Sequence, residues 1–142
     1  MSAPSPDLQV LSPGSLVSRM EISALENGQQ IFHIDLSKTS SKSALIEAIG
    51  AAMNFPDYCG NNWDGLEECL RDLKDRKGWL LIFENADGLL GLPSADLSVF
   101  LSILSDTVEF WKNEAHLFHA VLIGSPSLAT RVHDIGSSFT RA

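Results

Sequence analysis

Apolar residues recur along this chain with two periods, and the switches between them mark its elements. In QQIFHIDLS, Phe32, Ile34 and Leu36 alternate with Ile31, His33 and Asp35, the two-residue repeat of a strand with unequal faces. Upstream, LVSRMEISALE (residues 16–26) places Val17, Met20 and Ala24 at helical spacing before Asn27-Gly28, a plausible helix stop. Downstream, serines in SKTSSKS offer caps for a second helix, in which Leu45, Ile49 and Ala52 recur with Ala48 and Met53 near the same stripe until Pro56 forbids continuation. WDGLEECLRDL repeats the helical pattern: Trp63, Leu66, Leu70 and Leu73 lie at i, i+3, i+7 and i+10, with Asn62 or Asn61 as N-cap. After Gly78 the run WLLIF is apolar throughout, as in a strand covered on both faces. Residues 95–113 return to helix through Leu97, Phe100, Leu101, Leu104, Val108 and Trp111, and LFHAVLIG reads as a third buried strand ending at Gly124.

Strands alternating with helices predict parallel pairing through right-handed crossovers. The expectation is a small α/β domain, with a three-stranded parallel sheet and about four helices. The connection from Phe83 to Ala95 has room for a further short helix. Ahead of a single domain over residues 15–142, MSAPSPDLQVLSPG holds three of the six prolines, and such a stretch buries too little apolar surface to offset its ordering entropy. A flexible tail is expected over residues 1–14.

Charge narrows the function. A formal charge of −8 argues against nucleic-acid binding, which needs clustered Lys and Arg. The acids are grouped: Glu47, Asp57, Asp64, Glu67 and Glu68 fall between Ser43 and Leu70 without one base, and Glu84, Asp87, Asp96, Asp106 and Glu109 between Gly78 and Trp111, again without one. Such grouping keeps a surface soluble, or steers a basic partner to it. Cys59 and Cys69 form no CxxC pair and are expected as reduced thiols, Cys69 inert and partly buried. His116 and His119 share a metal-like spacing, but three residues apart on a strand they face opposite ways, so no metal or other cofactor is expected. No basic leader is visible, nor any run near the roughly 18 apolar residues of a membrane span, so a cytoplasmic chain without membrane contact is expected.

The segment FPDYCGNNWDGLEECLRDL, Phe55 to Leu73, carries the most specific signal. It resembles the barstar family, in which a loop with Pro, an acid, Tyr, an aromatic, Gly and Asn leads into a helix written as Asn, an aromatic or Leu, Asp, a small residue, Leu, variable, acid, Cys, Leu. Here these are Pro56, Asp57, Tyr58, Cys59, Gly60, Asn62, Trp63, Asp64, Gly65, Leu66, Glu67, Glu68, Cys69 and Leu70. The element order also agrees over roughly residues 30–124. The resemblance implies a barstar-like two-layer fold and, with it, the family's role as a cytoplasmic inhibitor, monomeric when free, that blocks a basic ribonuclease, toxin-associated in some relatives. The implied face is Tyr58, Gly60, Asn62, Asp64, Glu67 and Glu68, with Asn61 and Glu109 as further candidates. The inhibitor that gives the family its name carries aspartate at the Glu68 position, tryptophan at Glu67 and tyrosine at Cys59, and FPDY and NNWD here look closer to the broader set of barstar-like bacterial proteins.

The residues themselves fit that role. Asp64 and Glu68, one turn apart, share a helix face, and carboxylates on a rigid helix can occupy the positions where a ribonuclease holds RNA phosphates. Trp63 and Leu66 belong to the apolar stripe and are expected in the core. The bland reading of the same acids is a dipole-stabilised first turn at Asp64 and a helical ion pair from Glu67 or Glu68 to Arg71. The alternative function is a regulatory module of the same fold that binds a basic partner other than a nuclease. Catalysis is not expected: paired carboxylates are present, but no Ser-His or Cys-His arrangement and no phosphate loop.

Overall fold

Both periods become elements around one parallel sheet. In chain order these are β1 (Leu8–Leu11), α1 (Val17–Glu26), β2 (Gln29–Asp35), α2 (Lys42–Met53), α3 (Trp63–Leu70), β3 (Gly78–Glu84), α4 (Ser94–Asn113), β4 (Leu117–Ile123) and α5 (Pro126–Phe139), with short 3-10 helices at Asp57–Cys59 and Ala86–Gly91. The computed structural model describes residues 8–14, 17–74 and 76–139. The sheet order is β1-β4-β3-β2 and every pair is parallel, with Ile34 opposite Phe83 and Ile82 opposite Val121.

The sheet has four strands, not the three expected. The fourth, β1, lies inside the stretch expected to be a loose tail: Leu8 to Leu11 pair with Ala120 to Ile123 on the otherwise open edge of β4. Leu8 and Val10 pack on the main core and Leu11 on the opposite face, so this short run buries enough to be ordered. Residues 1–7 of that stretch lie outside the described residues. Among the described residues there are five α-helices rather than about four. The additional one, α5, buries Leu128 and packs Val132 and Ile135 against the core. Its Arg131 guanidinium donates to the carbonyls of Leu90 and Leu92, each at 2.9 Å, and so staples α5 to the segment before α4.

The layering also differs from a two-layer arrangement. Ile34, Trp79, Leu81, Phe83, Phe118, Ala120 and Leu122 meet α2, α3, α4 and α5 on one face of the sheet. Leu80, Ile82 and Val121 on the other face are covered by Ala24, Met20 and Val17 of α1. That double cover is why the WLLIF strand is buried from end to end. In α2 the inward residues are Leu45, Ile46, Ile49 and Met53, with Ala52 exposed, because the helix starts at a Ser41 cap accepting from the Ala44 amide and ends at Asn54 in the left-handed region. No helix among the described residues is long and apolar enough to cross a membrane.

One polar group ties the α1 layer to the sheet. His33 faces two carboxylates, Glu84 at 2.9 Å and Glu21 of α1 at 3.0 Å. The Glu84 hydrogen bond, opposed by partial burial and supported by Glu21, raises the imidazole pKa above its ordinary 6.5. A raised folded-state pKa contributes stability that is complete below the unfolded pKa and lost as pH rises through the folded one. Wild type and His33→Gln are therefore expected to differ most in thermal midpoint below about pH 6.5 and to converge under alkaline conditions. A pH-independent difference would assign His33 a packing role only.

Candidate functional site

Helix α3 is fixed on its inner side and open on its outer one. The Asn62 side chain accepts from the Gly65 amide at 2.7 Å and caps the helix. Gly65, Leu66, Cys69 and Leu70 are buried, and the half-buried Trp63 stacks on Phe100 with centroids 6.5 Å apart. At the far end the Trp111 indole donates to the Leu70 carbonyl at 2.9 Å, satisfying one of the acceptors a helix leaves open. With that stripe packed, the helical period turns Asp64 and Glu68 outward, and both are exposed.

The turn before the helix is folded back on it. After the 3-10 helix Asp57–Cys59, Gly60 takes φ 67°, which a glycine adopts without steric cost. The Asn61 side chain donates to the Ser43 hydroxyl at 2.7 Å, tying the turn to the start of α2. From residue 56 to 62 only Cys59 is buried. It lies on the α3 face formed by Gly65 and Cys69, and it is disulfide-bonded to Cys69. The expectation of two reduced thiols, with Cys69 inert and partly buried, is therefore overturned. The bond depends on the chain reversing at Gly60, which brings the two Cα atoms to 6.1 Å, and a ten-residue spacing does not reveal that. On a chain-entropy estimate, closing so short a loop contributes about 2 to 3 kcal/mol. Cys59→Ala is expected to lower unfolding stability by that amount in urea titration, and an unchanged midpoint would remove the bond's structural role.

Turn and helix together line an open depression of about 740 Å³, formed by Tyr58, Asp64, Glu67, Glu68, Arg71 and Asp72. Four carboxylates there face one guanidinium. Arg71 is committed: it donates to Glu67 at 3.2 Å and lies 5.3 Å from the ring centroid of Phe110 on α4. Asp72 accepts from the Tyr58 hydroxyl at 3.2 Å and lies 3.7 Å from the Lys74 ammonium. The Asp72 hydrogen bond, followed by desolvation, raises the Tyr58 pKa above 10.0, so the phenol remains a neutral donor at any physiological pH. Asp64 and Glu68 have no ion pair among the described residues.

Of the residues singled out from sequence, Tyr58, Asp64, Glu67 and Glu68 converge on the depression. Gly60, Asn61 and Asn62 shape the turn beside it. Glu109 lies outside the lining, 3.5 Å from Lys112, and α4 approaches the site through Phe110 instead. Asp72 and Arg71 are lining residues that the sequence pattern did not single out for binding. His116 precedes β4 and stacks on Trp79, with ring centroids 5.8 Å apart. Among the described residues, no three His, Cys, Asp or Glu side chains cluster as metal ligands.

Residues 29–123 match the family model described as Barstar (barnase inhibitor). The match runs from β2 through β4 and leaves β1, α1 and α5 outside it. Among solved structures, the chain is similar to the Aeropyrum pernix ORC1 protein in complex with DNA, with a TM-score of 0.54 and 15% sequence identity. That likeness covers 99% of this chain but 39% of the other, and it is a likeness of fold. No curated protein sequence matches significantly. The family match takes in the whole of the turn, α3 and the depression they form, and the chain belongs to the barstar family.

Proposed function

We propose that this chain inhibits a ribonuclease by seating the acidic face of α3 and the preceding turn in the enzyme's RNA-binding site. The observation that carries the reading is the state of Asp64 and Glu68: both are exposed on one side of a helix whose other side is locked in the core, and neither is neutralised by an internal base among the described residues. A ribonuclease lines its site with Lys, Arg and His to hold phosphate, and rigid carboxylates meet those groups in charge-assisted hydrogen bonds without conformational loss. Glu67 serves the face indirectly, by holding Arg71 to the side. Tyr58 offers an exposed ring for stacking on a catalytic imidazole.

The partner class follows from charge. The DNA of the structurally similar complex belongs to that protein; here the lining acids repel phosphate and attract cationic surfaces. A basic ribonuclease, secreted or part of a toxin pair, has the complementary field, and a chain of charge −8 would meet it rapidly at low salt. The test is titration of the purified full chain into barnase and other small basic ribonucleases while RNA cleavage is followed. The expected result is stoichiometric loss of activity against at least one enzyme, weakening as salt is raised. Full activity of every enzyme at excess chain and low salt would overturn the reading.

A further inference from the structure

Cys59 is the only buried side chain from residue 56 to 62, so the disulfide is the turn's one covalent tie, and its one buried side-chain tie, to α3. The other ties are hydrogen bonds: the Gly65 amide to the Asn62 cap at 2.7 Å where the turn enters the helix, and Asn61 to Ser43 at 2.7 Å and Tyr58 to Asp72 at 3.2 Å, the last two exposed. The bond is placed where a change is felt at the acidic face. Cys59 follows Tyr58, Cys69 follows Glu68, and Gly65 beneath the Cys59 carbonyl follows Asp64. Three lining residues of the depression are thus chain neighbours of the atoms that clamp turn to helix.

We propose that the Cys59–Cys69 disulfide is a redox gate on this face: bonded, it holds the turn against α3 with Tyr58 over Asp72, and reduced by a dithiol it releases the turn and weakens the face as a binding surface. The consequence for binding rests on the function proposed above; the release of the turn does not. The chemistry balances as thiol–disulfide exchange. One thiolate of the dithiol attacks a cysteine sulfur, the Cys59–Cys69 bond breaks and a mixed disulfide forms. The reductant's second thiol then displaces the protein sulfur and the reagent leaves as its own disulfide, two electrons and two protons having passed to Cys59 and Cys69. A low-molecular-weight disulfide reverses the exchange. Two sulfurs no longer bonded move apart to van der Waals separation, and the turn has no second buried anchor to resist that movement. Disulfides persist in oxidising compartments and are kept open in the cytosol, so the gate distinguishes the two settings.

The test needs no nuclease. Tyr58 is the chain's one tyrosine, so tyrosinate absorbance reads its titration alone. The full chain, purified under air and then with or without dithiothreitol, is followed by thiol titration, by that absorbance and by amide hydrogen exchange. On reduction two thiols are expected to appear, the Tyr58 midpoint to fall, and exchange at Cys59 and Gly60 to quicken by about tenfold or more while the β3 amides stay protected, as in a local opening. Cys69→Ser is expected to match the reduced chain, and reduced wild type gives the same comparison should that variant not fold. Two free thiols in the air-purified chain would overturn the proposal. So would identical exchange and titration in both states, or loss of β3 protection together with the turn, which would make the bond a staple of the whole fold.

Discussion

Gly65→Ala is expected to destabilise the chain by about 3 kcal/mol or more, at the upper end of what overpacking costs. A Cβ at Gly65 would lie far inside van der Waals contact of the Cys59 carbonyl oxygen and 2.8 Å from its carbonyl carbon. The neighbour is backbone, which cannot swing aside as a side-chain tip can. Cys59 is held by its bond to Cys69, and α3 is pinned from behind by Leu66, Leu70 and the Trp111 hydrogen bond, so neither partner can retreat alone. Relief requires lifting the turn, which removes Tyr58 from the depression as well. Gly50→Ala is the internal comparison: its Cβ meets nothing nearer than Phe55 at 3.8 Å, and a helix-interior alanine gains about 0.5 to 1 kcal/mol over glycine. Urea unfolding of the two variants should move in opposite directions from wild type. Equal stability of Gly65→Ala and wild type would mean that the turn does not rest on the helix.

The parts of this fold legible in the sequence are those whose burial shows as a pattern within one segment, the doubly covered WLLIF strand included. Phe32, Ile34 and Leu36 alternate because one face of β2 meets the main core and the other carries His33 toward α1. The α3 stripe is clean because its outer face is solvent. By contrast, β1 is four residues between prolines and serines, and it acquires a reason to be a strand only once β4 presents an edge. In α5, Leu128, Val132 and Ile135 do carry a helical period, but it follows a strand that already reads as terminal. At the site, Asp64 and Glu68 are legible because helical spacing alone places them together. Asp72 joins them only through the Tyr58 turn, and Phe110 only through the packing of α4 on α3. The disulfide belongs to the same class, since its partners meet by chain reversal and not by any spacing rule. What the sequence conceals is thus whatever depends on two segments touching.

Replacing Glu68 by alanine is expected to weaken the complex with an inhibited ribonuclease by about 2 to 5 kcal/mol, a loss of roughly thirtyfold to several thousandfold, because it leaves a desolvated cation of the enzyme without its partner. The same change should leave the free chain as stable as before, or slightly more so. Glu68 has no ion pair among the described residues and shares its face with Asp64 one turn away. Removing one of two like charges at that spacing relieves about 0.2 to 0.5 kcal/mol. Asp64→Ala should weaken binding likewise but give up the favourable helix-dipole interaction of a first-turn acid. Glu67→Ala separates the two roles an acid can have here: it frees Arg71, placing an unpaired cation in the depression, so its effect on binding is repulsion added rather than attraction lost. Raising the salt should therefore reduce the Glu67→Ala defect while deepening none of the others. Binding of Glu68→Ala and Asp64→Ala at wild-type affinity would move the interface off α3 altogether.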